Sequence, residues 1–189
     1  EHVKCVLSSP ADIKKMLLHI KQELDERSDL TDTFGVAHID DLPQEHKKPY
    51  IIVCIDEFVM LRNDKKIMDI LIEIVAIGRT LGVFAILSMQ RPTADVLDTT
   101  IRANLTVRMG FKVADATNAR VINTIGADKL EQAGRFILRI KKQEEIQAPF
   151  LKIDKAKKIL EPYTVTKEVI EDIKPAQEQW FGVDEDEEA

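Results

Sequence analysis

Cysteine, aromatic residues and long apolar runs are all scarce in this 189-residue sequence. Its two cysteines, Cys5 and Cys54, are too few for a disulfide framework or a cysteine-rich metal site, and they suit a reducing cytoplasm. No run approaches the ~18 apolar residues that a membrane-spanning helix needs. Because the chain begins at Glu1 rather than at a methionine with a basic and apolar leader, we interpret it as a soluble, cytoplasmic piece excised from a longer protein.

Positive charge is also in short supply. The formal net charge is -6, whereas a protein that is coated by nucleic acid usually carries a basic surface. Part of the acidic excess is concentrated in residues 184–188, and the sequence without this tail is close to neutral. Net charge alone therefore does not exclude DNA as a partner.

Hydrophobic periodicity predicts alternating helices and strands. A proline in the first turn and apolar residues at helical spacing predict a helix over residues 10–27, whereas residues 28–48 lack periodicity and predict a long mobile connection. The rest of the pattern predicts strands at 51–55, 83–87, 105–113 and 136–140, and helices at 65–81, 93–103, 115–125, 154–160 and 166–174. This alternation indicates βαβ units, and so an α/β fold with a mostly parallel sheet flanked by helices.

Two acids directly follow the first predicted strand. Ile51 to Ile55 is an apolar run, and Asp56 and Glu57 end it in the manner of the Walker B motif of nucleotide-hydrolysing motors. In that motif the strand fixes Asp56 where its carboxylate holds Mg²⁺ through water, and Glu57 orients or deprotonates the attacking water. The same pattern also occurs where the acids merely cap the next helix, so the motif alone leaves both interpretations open.

The end of the next strand favours the catalytic interpretation, because Ser88-Met89-Gln90-Arg91-Pro92 follows it directly. An ordered series of motifs between about residues 48 and 151 resembles the FtsK/SpoIIIE motor domain: Asp56-Glu57-Phe58, Gly78-Arg79 before Gly82, Gln90-Arg91-Pro92, Arg102-Ala103-Asn104, Arg108 and Gly126-Ala127-Asp128-Lys129-Leu130. The resemblance covers a little over half the chain. It implies a RecA-like P-loop NTPase fold that uses ATP and Mg²⁺.

The sequence lacks the phosphate-binding loop of such a fold. That loop, G-x-x-x-x-G-K-[ST], surrounds the β- and γ-phosphates with backbone N–H groups and a lysine, and no Gly-Lys-Ser or Gly-Lys-Thr occurs here. In the family this Walker A motif precedes the region that resembles residues 6–27. We therefore expect an incomplete fold that begins after Walker A, with residues 1–162 as a partial ATPase core and residues 163–189 as a C-terminal extension. Alone, this fragment should be monomeric, inactive and without tight affinity for ATP.

The resemblance also implies catalytic roles for two residues outside the Walker B motif. Gln90 corresponds to the polar sensor that detects the γ-phosphate, and Arg79 corresponds to an arginine finger that reaches a neighbouring subunit's site. Each residue has a simpler alternative. Gln90 could cap the helix that follows Pro92, and Arg79 could be a solvated residue that favours the dipole at a helix end.

Three further arginines correspond to positions that face the DNA channel in the family. Arg91, Arg102 and Arg120 are expected to contact phosphates without reading sequence, although surface arginines are often merely solvated. The chain departs from the family pattern at several nearby positions. Met89 replaces a threonine, Ala116 replaces a lysine, and Gln132 and Arg135 replace the expected glycine and aspartate.

These observations predict part of an ATP-driven, sequence-independent translocase of double-stranded DNA. The full-length protein would act as a hexameric ring in chromosome segregation or conjugative transfer, hydrolyse ATP at subunit interfaces, and be anchored at the cytoplasmic face of the bacterial membrane. A ring ATPase of a type VII-like protein secretion system shares the same core motifs and is the first alternative. A catalytically silent interaction module is the second, and the presence of Asp56, Glu57, Gln90 and Arg79 together argues against it.

Overall fold

The computed structural model describes residues 6–93, 97 and 99–163, which form two compact units, Leu7–Pro149 and one that contains residues 150–163. The predicted helix at 166–174 and the acidic tail lie outside the described residues. The helices are α1 (Pro10–Phe34), α2 (Lys65–Ile77), α3 (Thr99–Asn104), α4 (Ala116–Val121) and α5 (Ile153–Leu160), and the strands are β1 (Ile51–Ile55), β2 (Val83–Leu87), β3 (Arg108–Gly110), β4 (Arg135–Arg139) and β5 (Gln143–Gln147).

Helix α1 extends seven residues beyond its predicted end at residue 27. It stops at Gly35, whose left-handed backbone (φ 63°) lets its N–H bond the carbonyl of Asp32 at 3.1 Å. The segment between α1 and β1 then makes two short 3-10 turns, Ile39–Asp41 and Gln44–His46. Ile39 is buried in this segment, so the connection predicted for residues 28–48 is shorter and better packed than expected.

The two central strands pair in parallel, with Ile51 opposite Val83 and Ile55 opposite Leu87. Helix α2 connects them, as a crossover between parallel strands requires. It begins where the carboxylate of Asp64 accepts a hydrogen bond from the N–H of Ile67. These elements confirm the predicted α/β class.

One face of the β1–β2 pair packs into the main hydrophobic core with α1 and α2. The opposite face carries apolar side chains that are exposed within the described part of the chain. Ile52 is 63% exposed and Ile86 is 56% exposed. Parallel sheets are normally covered by other elements on both faces. Among the described residues, the β1–β2 pair is covered on one face only, although its strands are apolar on both.

The other three strands form an antiparallel sheet in the order β3-β4-β5, which differs from the parallel arrangement predicted for the strands after residue 105. The hairpin strand β5 was not predicted. β3 packs closely on the turn after α4 at Gly110, where an added Cβ would lie 2.1 Å from Thr124 Oγ1. This contact places β3 beside α4, which determines the position of Arg108.

The unit that contains residues 150–163 contributes α5, in agreement with the predicted helix at 154–160. No helix among the described residues combines the length and the apolar character needed to cross a membrane.

Candidate functional site

The carboxyl ends of β1 and β2 bring Asp56 and Ser88 together. Because the strands are in register and equal in length, the residue after each strand lies beside the other. The hydroxyl of Ser88 donates a hydrogen bond to Asp56 Oδ1. Backbone bonds close the same junction, from the N–H of Ser88 to the carbonyl of Ile55 at 2.9 Å and from the N–H of Phe58 to the carbonyl of Ser88 at 3.1 Å. The Asp56 carboxylate is therefore held at a defined point on the sheet edge.

Glu57 occupies a left-handed backbone conformation, with φ 50° and ψ 51°. Such a conformation is unfavourable for a residue with a long side chain and marks a locally strained turn. Phe58, which is fully buried, anchors the residue that follows. Glu57 precedes the 3-10 turn Phe58–Leu61, but its side chain makes no capping hydrogen bond there. The alternative in which Glu57 serves only as a helix cap is therefore not supported.

Gln90 and Arg91 are both exposed, two and three residues beyond Ser88 on the same strand end. The described part of helix α3 is Thr99–Asn104, and Leu97 N–H donates to the carbonyl of Thr93 at 3.2 Å shortly after Pro92. Gln90 follows the carboxyl end of β2, the end of the sheet that also carries Asp56 and Glu57.

Arg79 lies at the other end of the sheet. It follows α2, is exposed, and belongs to the turn that leads into the amino end of β2. A five-residue strand spans about 15 Å, so Arg79 is separated from Asp56 by the length of the sheet. Arg79 is therefore not part of the group that Asp56, Glu57 and Ser88 form at the carboxyl ends of the strands.

Arg102 and Arg120 lie together, although they are 18 positions apart in the sequence. Both line an open cleft of about 340 Å³ that also includes Arg108 and Asn123. Arg91 is not among the residues that line this cleft. Of the three arginines predicted to contact DNA, Arg102 and Arg120 therefore share this cleft.

Sequence reasoning assigned no role to Ser88 or to the packing around Arg108. A signal for Ser88 was available, because two parallel strands of equal length place the residues that follow them side by side. The surroundings of Arg108 depend on the antiparallel pairing of β3 with β4, and nothing in the predicted parallel arrangement pointed to it.

The residues present fit one half of a magnesium–nucleotide site. Mg²⁺ in such sites takes one or two carboxylates and keeps most of its other ligands as phosphate oxygens and water, and Asp56 with its one bond from Ser88 retains acceptor positions for such water. Within residues 6–93, 97 and 99–163, no three His, Cys, Asp or Glu side chains cluster to hold a metal by themselves. The sequence contains no phosphate-binding loop of the G-x-x-x-x-G-K-[ST] type.

No family model matches the chain. Among curated proteins, the DNA translocase FtsK of Tropheryma whipplei is 30% identical over 145 residues, which cover 68% of this chain and 20% of that protein. The DNA translocase FtsK of Chlorobaculum tepidum is 24% identical over 165 residues, which cover 82% of this chain and 20% of that protein. The chain thus spans about a fifth of the length of these relatives.

Solved structures share the fold. The pCW3 conjugation coupling protein TcpA, in its monomer form with ATPγS, superposes with a TM-score of 0.73 at 23% identity and covers 84% of this chain and 51% of its own. The cytoplasmic domain of the type VII secretion ATPase EccC from Thermomonospora curvata superposes with a TM-score of 0.68 at 20% identity. The superposition covers 79% of this chain and 19% of the EccC chain.

The fold is accordingly that of a P-loop ATPase domain, present here in partial form. Within that class the chain is related in sequence to the FtsK DNA translocases, and the predicted resemblance to the FtsK/SpoIIIE family is confirmed.

Proposed function

We propose that this chain is the Walker B part of an ATP-driven motor that moves double-stranded DNA without reading its sequence. The observation that carries the proposal is the junction of β1 and β2, where Asp56 is fixed by Ser88 and Glu57 is held in a strained turn in which its side chain makes no capping hydrogen bond. Asp56 would hold the hydrated Mg²⁺, and Glu57 would position and deprotonate water for attack on the γ-phosphate.

The exposed face of the β1–β2 pair supports a second layer from the segment that supplies the phosphate-binding loop. Ile52 and Ile86 would be covered by that layer, as both faces of a parallel sheet usually are. In this arrangement the nucleotide would lie at the carboxyl edge of the sheet, between its phosphate-binding loop and Asp56. Gln90 on the same edge would detect the loss of the γ-phosphate.

The position of Arg79 supports hydrolysis at the interface between subunits of a ring. Its separation from Asp56 leaves a neighbour's nucleotide as its target, where it would neutralise charge in the transition state. A repeated head-to-tail contact that closes on itself forms a ring, and each subunit then gives one arginine and receives one.

The contribution of Arg79 can be tested by mixing two inactive subunits. Arg79→Ala and Glu57→Gln are each expected to abolish ATP turnover when present in every subunit of the assembled motor, because every interface then lacks one partner. Mixed in equal amounts, the variants should restore about a quarter of the interfaces, namely those that pair an intact Glu57 with a neighbour's intact Arg79. A mixture as inactive as its components would place both residues in the same subunit's site and contradict the ring arrangement.

DNA as the cargo is tested by the dependence of ATP hydrolysis on DNA. In the motor that joins this chain to a phosphate-binding loop, double-stranded DNA of any sequence should accelerate hydrolysis. Arg91→Ala should raise the DNA concentration that gives half-maximal acceleration about tenfold, since one charged hydrogen bond to phosphate is lost. Two duplexes of unrelated sequence serve as the control and should give equal curves.

Protein secretion is the second candidate, because the fold is shared with a type VII secretion ATPase. The absence of any DNA acceleration in the same assay would favour it over the DNA motor. The sequence relationship to DNA translocases and the basic cleft near Arg102 favour DNA.

A further inference from the structure

Ser88 makes three hydrogen bonds with the residues that end β1. Its N–H donates to the carbonyl of Ile55 at 2.9 Å, and its carbonyl accepts from the N–H of Phe58 at 3.1 Å. Its hydroxyl donates to Asp56 Oδ1. Ser88 therefore bonds to the residues on both sides of Glu57, to the side chain of Asp56 and to the backbone of Phe58.

The neighbours of Ser88 determine where its side chain points. Leu87 and Met89 both pack against the main hydrophobic core. The bond from the N–H of Ser88 to Ile55 continues the strand pairing by one residue, and side chains along a strand alternate in direction. The side chain of Ser88 is accordingly turned away from that core, towards Asp56. Because its backbone is already bonded at the N–H and at the carbonyl, the hydroxyl loses little further freedom when it binds the carboxylate.

The bond from Ser88 occupies one oxygen of the Asp56 carboxylate, and this limits how a cation can bind there. Ca²⁺ accepts carboxylates in a flexible geometry and binds one or both of their oxygens, whereas Mg²⁺ demands near-octahedral geometry and keeps several of its waters. Binding through both oxygens would compete with the Ser88 hydroxyl for Oδ1. A carboxylate held in this way suits a hydrated Mg²⁺ and disfavours a Ca²⁺ that takes both oxygens.

We propose that the Ser88 hydroxyl positions the Asp56 carboxylate and thereby makes the site selective for Mg²⁺ over Ca²⁺. The inference rests on the proposed ATP-driven motor and deepens it, because it assigns the choice of cation to a residue outside the Walker B motif. Ser88 acts through Asp56 and is therefore a positioning residue. Groups that bond to a metal-binding side chain typically change metal affinity by about 10–100-fold.

Ser88→Ala removes the hydroxyl and keeps both backbone bonds. In the motor that joins this chain to a phosphate-binding loop, the variant should raise the Mg²⁺ concentration that gives half-maximal ATP hydrolysis about tenfold. Turnover at saturating Mg²⁺ should fall by less than about threefold, because the turn at Glu57 stays anchored through the backbone of Phe58. Ser88→Thr retains the hydroxyl and should restore the Mg²⁺ dependence.

Cation binding without hydrolysis gives a second readout. With a non-hydrolysable ATP analogue present, Mg²⁺ and Ca²⁺ are each titrated against bound Mn²⁺, whose release is followed by electron paramagnetic resonance. Ser88→Ala should weaken Mg²⁺ binding about tenfold, and should leave Ca²⁺ binding within about twofold of its original affinity or make it tighter. Equal weakening of both cations would show a merely structural role for Ser88 and overturn the proposal.

Thr33→Ala is the matched control. It also removes an exposed hydroxyl, which donates to the carbonyl of Asp29 at 2.8 Å within α1, and it should change the affinity for neither cation. If Ser88→Ala binds both cations as the unaltered motor does, the selectivity proposal fails and the DNA motor stands. If the unaltered motor binds no cation together with the ATP analogue, the proposed ATP-driven motor fails, and the selectivity proposal fails with it.

Discussion

Glu57→Gln is expected to lower DNA-stimulated ATP turnover by about 10²–10⁴-fold, the usual contribution of a positioned general base. The amide keeps the size of the side chain but cannot take a proton from water. Phe58 and the bonds between the two strand ends hold the backbone of residue 57, so the turn should keep its shape. Steady-state hydrolysis by the assembled motor measures the loss, and ATP binding should remain close to that of the unaltered protein.

Glu57→Gly separates the chemistry of this position from its backbone strain. Glycine adopts a φ near 50° freely, so this variant should be as stable as the parent sequence or more stable by up to about 1 kcal/mol, while its turnover falls as far as that of Glu57→Gln. The two measurements together show whether the strained turn is kept for function. A Glu57→Gly protein that unfolds more easily would instead show that the glutamate side chain stabilises the fold.

The two strands that carry this site could be predicted because each is a continuous run of apolar residues. The apolar runs at 51–55 and 83–87 coincide with β1 and β2. Each run contributes to the hydrophobic core and is followed directly by a polar residue, which marks where the strand ends. The helix between them requires a parallel pairing, and that pairing brings Asp56 to the same edge as Gln90. The catalytic roles predicted for Glu57, Gln90 and Arg79, and the Mg²⁺ role predicted for Asp56, remain proposals.

The parts that were missed depend on contacts distant in the sequence. Strand β5 is polar and exposed over most of its length, so it has no periodicity to detect, and it forms because it pairs with β4. The end of α1 was placed too early because residues 28–34 are mostly polar. Thr31 is nevertheless buried in the structure. Tertiary packing of this kind overrides local propensity.

Arg27 is a buried arginine that binds the backbone at the amino ends of β1 and β2, opposite the ends that carry Asp56 and Ser88. Its side chain is 1% exposed, and its Nε donates to Glu23 at 2.7 Å. Its two Nη atoms donate to the carbonyls of Leu81 and Pro49 at 2.9 and 2.8 Å, just before β2 and β1 respectively. One guanidinium therefore ties α1 to the starts of both strands. Gly82 makes room for it, because an added Cβ there would lie 3.2 Å from Arg27 Nη1.

Arg27→Met is expected to lower the free energy of unfolding by about 3–5 kcal/mol, because it leaves two carbonyls without their donor and removes the nearer of the two cations that pair with Glu23. Urea unfolding followed by circular dichroism measures the loss. Arg27→Lys should recover only part of it, since an ammonium group lacks the planar fork that reaches both strands. Arg79→Met, at an exposed position near the same strand end, should change stability by less than about 0.5 kcal/mol. Equal effects of Arg27→Met and Arg79→Met would mean that the buried guanidinium does not hold the strands in register, and the placement of Asp56 beside Ser88 would need another cause.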